Sequence, residues 1–230
     1  MSHKLKANGL VVPDDFPLCA YESVYKTIEN KKAKHLLYEH YAGAWNGLAY
    51  RFRAAMDYGE YFVALLKKHG TAPPPEERYL QERVLFDFYS AGFSTFECTF
   101  YGLYTVGAFI SPREFPLTTP REQQQVSPNR TKDAFARSFP GDPILAVFAA
   151  LFADPQYQKC REIRNVLTHR TAPGRRIYLS IGNDDEPPAE WKLNNSPLDE
   201  SLASTGRIEL SRLLGDLLAG SATFVEAKIT

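Results

Sequence analysis

The feature that most constrains the fold is a long helical segment in the middle of the chain whose second half carries almost no charge. It opens at Pro75-Glu76-Glu77, a typical helix start, because proline fits the first turn and acidic side chains suit the positive end of the helix dipole. The pattern predicts a helix that continues to about Ile110, where a Ser-Pro pair ends it.

Between residues 91 and 110 the only charged side chain is Glu97. An apolar window of this length could also span a membrane, but it is rich in Ser, Thr, Gly and Tyr and poor in Leu and Val. We therefore expect no membrane span, and instead a central helix that its neighbours cover on all sides. A buried carboxylate needs a partner. For Glu97 the commoner partner would be a tyrosine or a backbone group, and the alternative is Arg164.

Two helices are predicted upstream of this segment. Apolar and aromatic residues recur at threes and fours from about Lys32 to His69, which is the period of an amphipathic helix. Glycines within that stretch weaken the pattern, and one of them could mark a break. Nearer the start, residues 21–30 favour a short helix with Pro17 in its first turn.

Residues 111–140 form a proline-rich insert with a run of three glutamines. The insert is loop-like, although Thr119 or Thr131 could cap short helices within it. A long insert between bundle helices often serves as a lid or as an interaction segment.

Two Asp-Pro pairs predict the next two helices. Asp142-Pro143 precedes an apolar run from 144 to about 152, and Asp154-Pro155 precedes the following helix. Aspartate is a favoured N-cap and proline fits the first helical turn, so each pair is a helix start.

After Gly174 the helical periodicity of the sequence gives way to short strand-like segments. Residues 176–181 and 190–193 have the composition of two short strands around a polar loop, which predicts a small β-hairpin at about 175–195, beside the preceding helix. A final amphipathic helix is expected from Arg207 to about Lys228, capped by the threonine or glycine just before it.

These elements predict an all-α fold. We expect an up-and-down bundle of four to five main helices, with the hairpin attached after the penultimate helix. No internal repeat and no linker divides the chain, so residues 1–230 are predicted to form one domain.

The overall charge gives no attraction to nucleic acid, because 27 Lys and Arg balance 27 Asp and Glu. A local basic patch exists between residues 159 and 176, where one acid, Glu162, stands among six cations. The patch could be the solvated end of a helix, where cations suit the dipole. The alternative is an RNA-contacting surface, for which the candidates are Arg161, Arg170, Arg175 and Arg176.

The remaining composition indicates a reduced, cofactor-free protein. The three cysteines are far apart and suggest neither a disulfide framework nor a metal site, so a cytoplasmic location is expected. The start of the chain has no apolar run of signal-peptide length. His35 and His40 are five residues apart and would diverge on a helix, so a zinc hydrolase is a weak alternative, and no phosphate loop or dinucleotide fingerprint is present.

The helix after Asp154 carries the most distinctive chemistry. At 100° per residue its apolar residues Cys160, Ile163, Val166 and Leu167 share one arc, which should face the core. An Ala-Pro-Gly run then ends the helix near residue 170. The opposite arc is polar and carries Arg161, Glu162, Arg164, Asn165, Thr168 and His169.

The order Arg164, Asn165, three further residues and His169 resembles the signature of the HEPN superfamily. In that superfamily an arginine, usually followed by a polar residue, precedes a histidine by four to six positions near the start of, or within, the last core helix. Its members are small all-helical domains, and many are metal-independent ribonucleases. The resemblance covers this one helix closely and the surrounding helical layout loosely.

The resemblance implies an endoribonuclease whose catalytic residues are Arg164, His169 and Asn165, with Glu97 and Thr168 in supporting positions. The ribose 2′-oxygen would attack the phosphorus and leave a 2′,3′-cyclic phosphate, with no metal or cofactor. The family further implies a homodimer in which two motif helices line one cleft across a two-fold axis. Proteins of this kind are often toxins or defence effectors held in check by an antitoxin or another regulatory partner.

The residue types suit that chemistry. Histidine, with an unperturbed pKa of about 6.5, can take the proton of a hydroxyl near neutral pH. Arginine stays charged and grips phosphate oxygens at two points. Asn165 and His169 are four residues apart, so the amide could reach and orient the imidazole. The alternative from another class is a non-catalytic helical module that uses the same face to bind RNA, a nucleotide or a protein partner.

Overall fold

The helices and strands are taken from a computed structural model, which describes residues 5–169, 172–176, 189–193 and 196–229. The helices, in chain order, are α1 (Leu18–Lys32), α2 (Tyr38–His69), α3 (Pro75–Ile110), α4 (Pro120–Gln124), α5 (Pro128–Ser138), α6 (Ile144–Ala153), α7 (Pro155–His169) and α8 (Glu200–Lys228). The strands are β1 (Lys6–Ala7), β2 (Leu10–Val11), β3 (Arg175–Arg176), β4 (Glu190–Leu193) and β5 (Ser196–Pro197). The chain is mostly helical, as predicted, and its strands are short.

The helices α2 and α3 form the centre of the fold. They are joined by a short connection that starts at Gly70, whose φ of +67° suits a residue without a side chain, and they pack against each other along their length. The predicted span of α3 is confirmed at both ends. Its apolar second half is almost entirely buried, with α5, α7 and α8 also packed against it.

Aromatic rings connect the outer helices to α3. Phe100 of α3 lies 5.2 Å from Phe148 of α6, and Phe148 lies 5.3 Å from Phe135 of α5, measured between ring centroids. Phe135 in turn lies 5.1 Å from Phe224 of α8. Ring pairs at this spacing add to the free energy gained from burying the apolar area, so these four helices share one core.

The insert at 111–140 belongs to that core. Phe115 and Phe135 are fully buried, and the hydroxyl of Thr131 donates a hydrogen bond to the carbonyl of Phe100. Thr119 caps α4 with the predicted side-chain bonds, whereas Ser127, and not Thr131, caps α5. The insert is thus a packed element of the bundle and not a detached lid.

Two predicted helix starts are wrong. The second helix begins at Tyr38, later than expected, and continues without a break to His69. The last helix begins well before Arg207, at Glu200, because the Asp199 side chain accepts a hydrogen bond from the amide of Leu202 and caps it.

The predicted hairpin is present in part among the described residues. β3 pairs with β4 antiparallel, and β4 pairs with β5, which the sequence did not predict. The predicted strand at 177–181 and the polar loop after it lie outside the described residues. Trp191 packs 5.7 Å from Phe62, and the hydroxyl of Thr71 donates to the carbonyl of Ala189. β3 and β4 therefore lie over the connection between α2 and α3, whereas Pro197 of β5 lines a cavity together with Lys159 and Cys160 of α7.

Two smaller findings complete the fold. The short helix predicted at 21–30 is α1, which begins right after Pro17 and packs on α8, and the β1–β2 hairpin that precedes it was not predicted. Within the described residues, no helix is both long enough and apolar enough to cross a membrane.

Two glycines in helix interiors predict stability changes of opposite sign. A Cβ atom on Gly43 would meet nothing within 4 Å, whereas one on Gly107 would lie 2.5 Å from the buried ring of Phe115. Gly43→Ala should raise the free energy of unfolding by roughly 1 kcal/mol, because alanine favours the helix. Gly107→Ala should lower it by roughly 1 kcal/mol or more, because the added methyl overpacks the core. Urea unfolding of the two variants checks this, and a stabilised Gly107→Ala would contradict the packing described.

Candidate functional site

The helix α7 is fixed at its start by Asp154. Its Oδ1 atom accepts hydrogen bonds from the amides of Gln156 (2.8 Å) and Tyr157 (3.3 Å), and its Oδ2 atom lies 2.7 Å from Arg212 of α8. Burial alone would raise the pKa of the Asp154 carboxyl, but the bonds from Arg212 and the two amides lower it. The predicted cap is confirmed, and it also ties α7 to α8.

The predicted division of α7 into an apolar and a polar face is confirmed. Ile163 and Val166 are buried, and Cys160 and Leu167 are partly buried against the core. Tyr157, which is fully buried, anchors the first turn through contacts with three aromatic rings of α3 and α6. On the opposite face the side chains are partly or fully exposed, and they include Arg161, Arg164, Asn165, Thr168 and His169.

Arg164 is the most constrained residue of the polar face. Its Nη2 atom lies 3.4 Å from Oε1 of Glu97, and its Nη1 atom donates to Oδ1 of Asn165 at 3.1 Å. Its guanidinium carbon is 5.3 Å from the centroid of the Phe93 ring. The side chain is 24% exposed. Three neighbours from two helices thus hold a guanidinium that still reaches solvent.

Glu97 is the partner that α3 supplies. The alternative prediction is confirmed, because this carboxylate contacts Arg164. Among the described residues it has no bond to a tyrosine or a backbone group, and the hydroxyl of Ser94 donates to its other oxygen at 3.3 Å. The side chain is 37% exposed, so the expectation of a buried carboxylate is wrong. At that exposure the pair contributes about 0.2–1 kcal/mol, which suits a positioning contact better than a structural one.

The amide of Asn165 is oriented differently from the prediction. Its oxygen accepts the bond from Arg164, and within the described residues no hydrogen bond joins it to His169. His169 is the last residue of α7, and its side chain is exposed, as is that of Thr168. The structure brings Arg164, Asn165 and Glu97 together, and among the described residues no hydrogen bond or ion pair engages the exposed imidazole.

The predicted RNA-contacting arginines fall into different environments. Arg161 is partly exposed and donates a hydrogen bond to the side chain of Gln158, on its own helix. Arg176 is exposed on β3. Arg170 lies outside the described residues.

Arg175 is a structural residue. Its side chain is 2% exposed, and its Nη1 atom donates to the carbonyl of Thr71 and to the side chain of Gln81, both at 2.8 Å. Its guanidinium lies 3.7 Å from the ring centroid of Trp191. Burial lowers the pKa of Arg175 to about 10, which leaves it charged at neutral pH. Because the cation is covered on all sides, the prediction that it contacts RNA is wrong.

Glu97 also lines a groove that the sequence did not indicate. It has a volume of about 550 Å³ between α2, α3 and the start of α5, and Glu97, Cys98 and His40 are among its lining residues. His40 places its Nδ1 atom 3.2 Å from the hydroxyl of Tyr101 and its Nε2 atom 3.4 Å from the side-chain nitrogen of Gln123. The partners of His40 lie 61 and 83 residues further along the chain. The five-residue spacing between His35 and His40 therefore could not have predicted this groove.

No metal site accompanies these residues in the described parts of the chain, where no three His, Cys, Asp or Glu side chains group to hold an ion. Comparisons with protein-family models, with curated proteins and with solved structures found no match to this chain.

The two neighbouring arginines of β3 give a matched test of these environments. Arg175→Ala should lower the free energy of unfolding by about 2 kcal/mol or more, because it removes charge-assisted hydrogen bonds from a buried position. Arg176→Ala should change it by less than about 0.5 kcal/mol, since that side chain is exposed. Thermal or urea unfolding measures both, and equal effects would place Arg175 at the surface.

Proposed function

We propose that this protein is a metal-independent endoribonuclease of the HEPN type, with Arg164 and His169 as its catalytic residues. The proposal rests on one observation above the others: the polar face of α7 carries a positioned guanidinium and an exposed imidazole. Because they are five residues apart, they lie toward opposite edges of that face. That face is what the resemblance requires of a motif helix, and the buried Ile163 and Val166 fix which way it points.

The chemistry assigned to each side chain follows from its surroundings. Arg164, held by Glu97, Asn165 and Phe93, would meet the negative charge that develops on the phosphorus, at little entropic cost because its position is already set. The exposed His169 would take the proton from the ribose 2′-hydroxyl. The 2′-oxygen then forms a bond to phosphorus, the bond to the 5′-oxygen breaks, and a 2′,3′-cyclic phosphate remains.

A homodimer belongs to this proposal. One arginine and one histidine supply a base and a cation but no second group to protonate the leaving 5′-oxygen. A second α7 across a two-fold axis would supply that acid and double the positive charge of the cleft. An antitoxin or regulatory partner that covers the same face would restrain the activity.

Removal of the imidazole tests the proposal. We expect His169→Ala to lower the rate of RNA cleavage in EDTA by roughly 10²–10⁴-fold, the usual contribution of general acid–base catalysis, with the helical circular dichroism signal unchanged. His69→Ala is the matched control, because His69 is likewise the last residue of a long helix, and it should retain full activity. The products should carry cyclic phosphate ends.

The outcome also separates the proposal from its alternative. If the unmodified protein leaves varied RNAs intact with and without added metal, but RNA binding is weakened by Arg164→Ala, the polar face of α7 serves a binding module. If neither cleavage nor binding is seen, the assignment to RNA fails.

The contact between Glu97 of α3 and Arg164 of α7 predicts that two substitutions lower the rate of RNA cleavage by different amounts. Glu97→Gln removes one charge from a part-exposed pair worth at most about 1 kcal/mol, so cleavage should fall by no more than about fivefold. Arg164→Ala removes the phosphate-binding group itself and should cost about 100-fold or more, the size seen when one stabilising donor is lost. Single-turnover rates measure both, with Arg113→Ala, an exposed arginine in the insert, as the control. Equal losses from Glu97→Gln and Arg164→Ala would give the carboxylate a direct catalytic part.

A further inference from the structure

A second site of a different character is a cavity of about 250 Å³ between α3, α7 and the first half of α8, and none of the catalytic residues proposed above lines it. Phe88 and Phe96 of α3 and Leu210 of α8 give it an apolar lining. An engineered apolar cavity of roughly 150 Å³ already binds benzene. The space is therefore sufficient for a planar ring system with a short substituent.

The hydroxyl of Tyr89 supplies the first polar group. Tyr89 lines the cavity and is only 4% exposed, with its ring 4.9 Å from that of Phe88. Among the described residues its hydroxyl has no hydrogen-bond partner. Burial raises the pKa of this hydroxyl, so it remains a neutral donor. Because Tyr89 lines the cavity, its hydroxyl can donate a hydrogen bond to an acceptor on a ligand bound there.

Among the described charged residues around the cavity, Lys159 lacks an ion-pair partner. Asp199 is engaged in capping α8, and Glu209 lies 2.7 Å from Arg212. Lys159 of α7, by contrast, has no ion pair among the described residues, although it lines the same cavity. The N-terminus of α8 compensates Asp199, and Glu209 shares the guanidinium of Arg212 with Asp154 and Asp216. The ammonium of Lys159 has no carboxylate paired with it among the described residues, so it can pair with an anionic group of a ligand.

We infer that this cavity binds a small planar aromatic carboxylate. The ring would lie among Phe88, Phe96 and Leu210, the carboxylate would pair with Lys159, and Tyr89 would donate its hydroxyl to an acceptor on the ligand. The site is separate from the polar face of α7 and does not depend on the proposed ribonuclease activity. It shares that helix, however, because Lys159 and Cys160 lie about one turn before Arg164.

Three probes that share one ring system test the inference: indole-3-acetate, indole-3-ethanol and tryptamine, which are anionic, neutral and cationic. Titration calorimetry on the full chain should give the acid an affinity about tenfold higher than the alcohol, with the amine weakest. Lys159→Met should abolish the preference for the acid. Lys68→Met, at an exposed lysine of α2, is the control and should leave all three affinities unchanged.

The hydroxyl has its own readout. Tyr89→Phe retains the ring and should weaken indole-3-acetate by about tenfold, the value of one charge-assisted hydrogen bond. Alkylation of Cys160, which lines the cavity, at a pH high enough to form its thiolate shows where the ligand binds: the bound acid should slow this modification but not that of the exposed Cys19. Circular dichroism shows whether each variant is folded.

Two results would overturn the inference. Equal affinities for the acid, the alcohol and the amine would reduce the cavity to non-selective apolar binding, and the absence of binding by all three would remove the site. No RNA is present in these measurements, so their outcome is independent of whether the chain cleaves RNA.

Discussion

The burial of the second half of α3 is the constraint on which the rest of the structure depends. Twenty residues with a single charge cannot remain in water, so α2, α5, α7 and α8 pack around them. Close approach makes this possible: a Cβ atom on Gly102 would lie 3.0 Å from the ring of Trp45, and Gly107 leaves room for Phe115. The free energy gained from this burial fixes α7 in place. The residues on the polar face of α7 are then not needed for packing.

The same helix also builds the candidate site. Glu97 and Phe93 of α3 face Arg164, one by charge and one by its ring, while Phe88, Tyr89 and Phe96 line the separate cavity. The long central helix serves as the rigid support for both sites.

Features that depend on neighbouring residues were predicted correctly from the sequence. Features that depend on contacts between distant parts of the chain were not. The span of α3, the caps at Thr119 and Asp154 and the two faces of α7 follow from turn residues and helical periodicity alone. The burial of Arg175 could not be read in this way, because its partners are a carbonyl and an amide about a hundred residues upstream and the ring of Trp191. From the sequence alone, an arginine in a basic stretch is expected at the surface. Only the tertiary contacts show that Arg175 is buried.

The two arginines of this region show how a candidate functional cation differs from a structural one. Arg164 and Arg175 each have a carboxylate and an aromatic ring beside them. Arg175 is 2% exposed and makes two short bonds to groups of the fold, whereas Arg164 is 24% exposed, with a 3.4 Å contact worth at most about 1 kcal/mol. A phosphate that displaces so weak a contact recovers more than it loses, because a bidentate arginine–phosphate pair is among the stronger hydrogen-bonded contacts in proteins. The long ion pair between α3 and α7 therefore suits a guanidinium that is held in readiness for an anionic ligand.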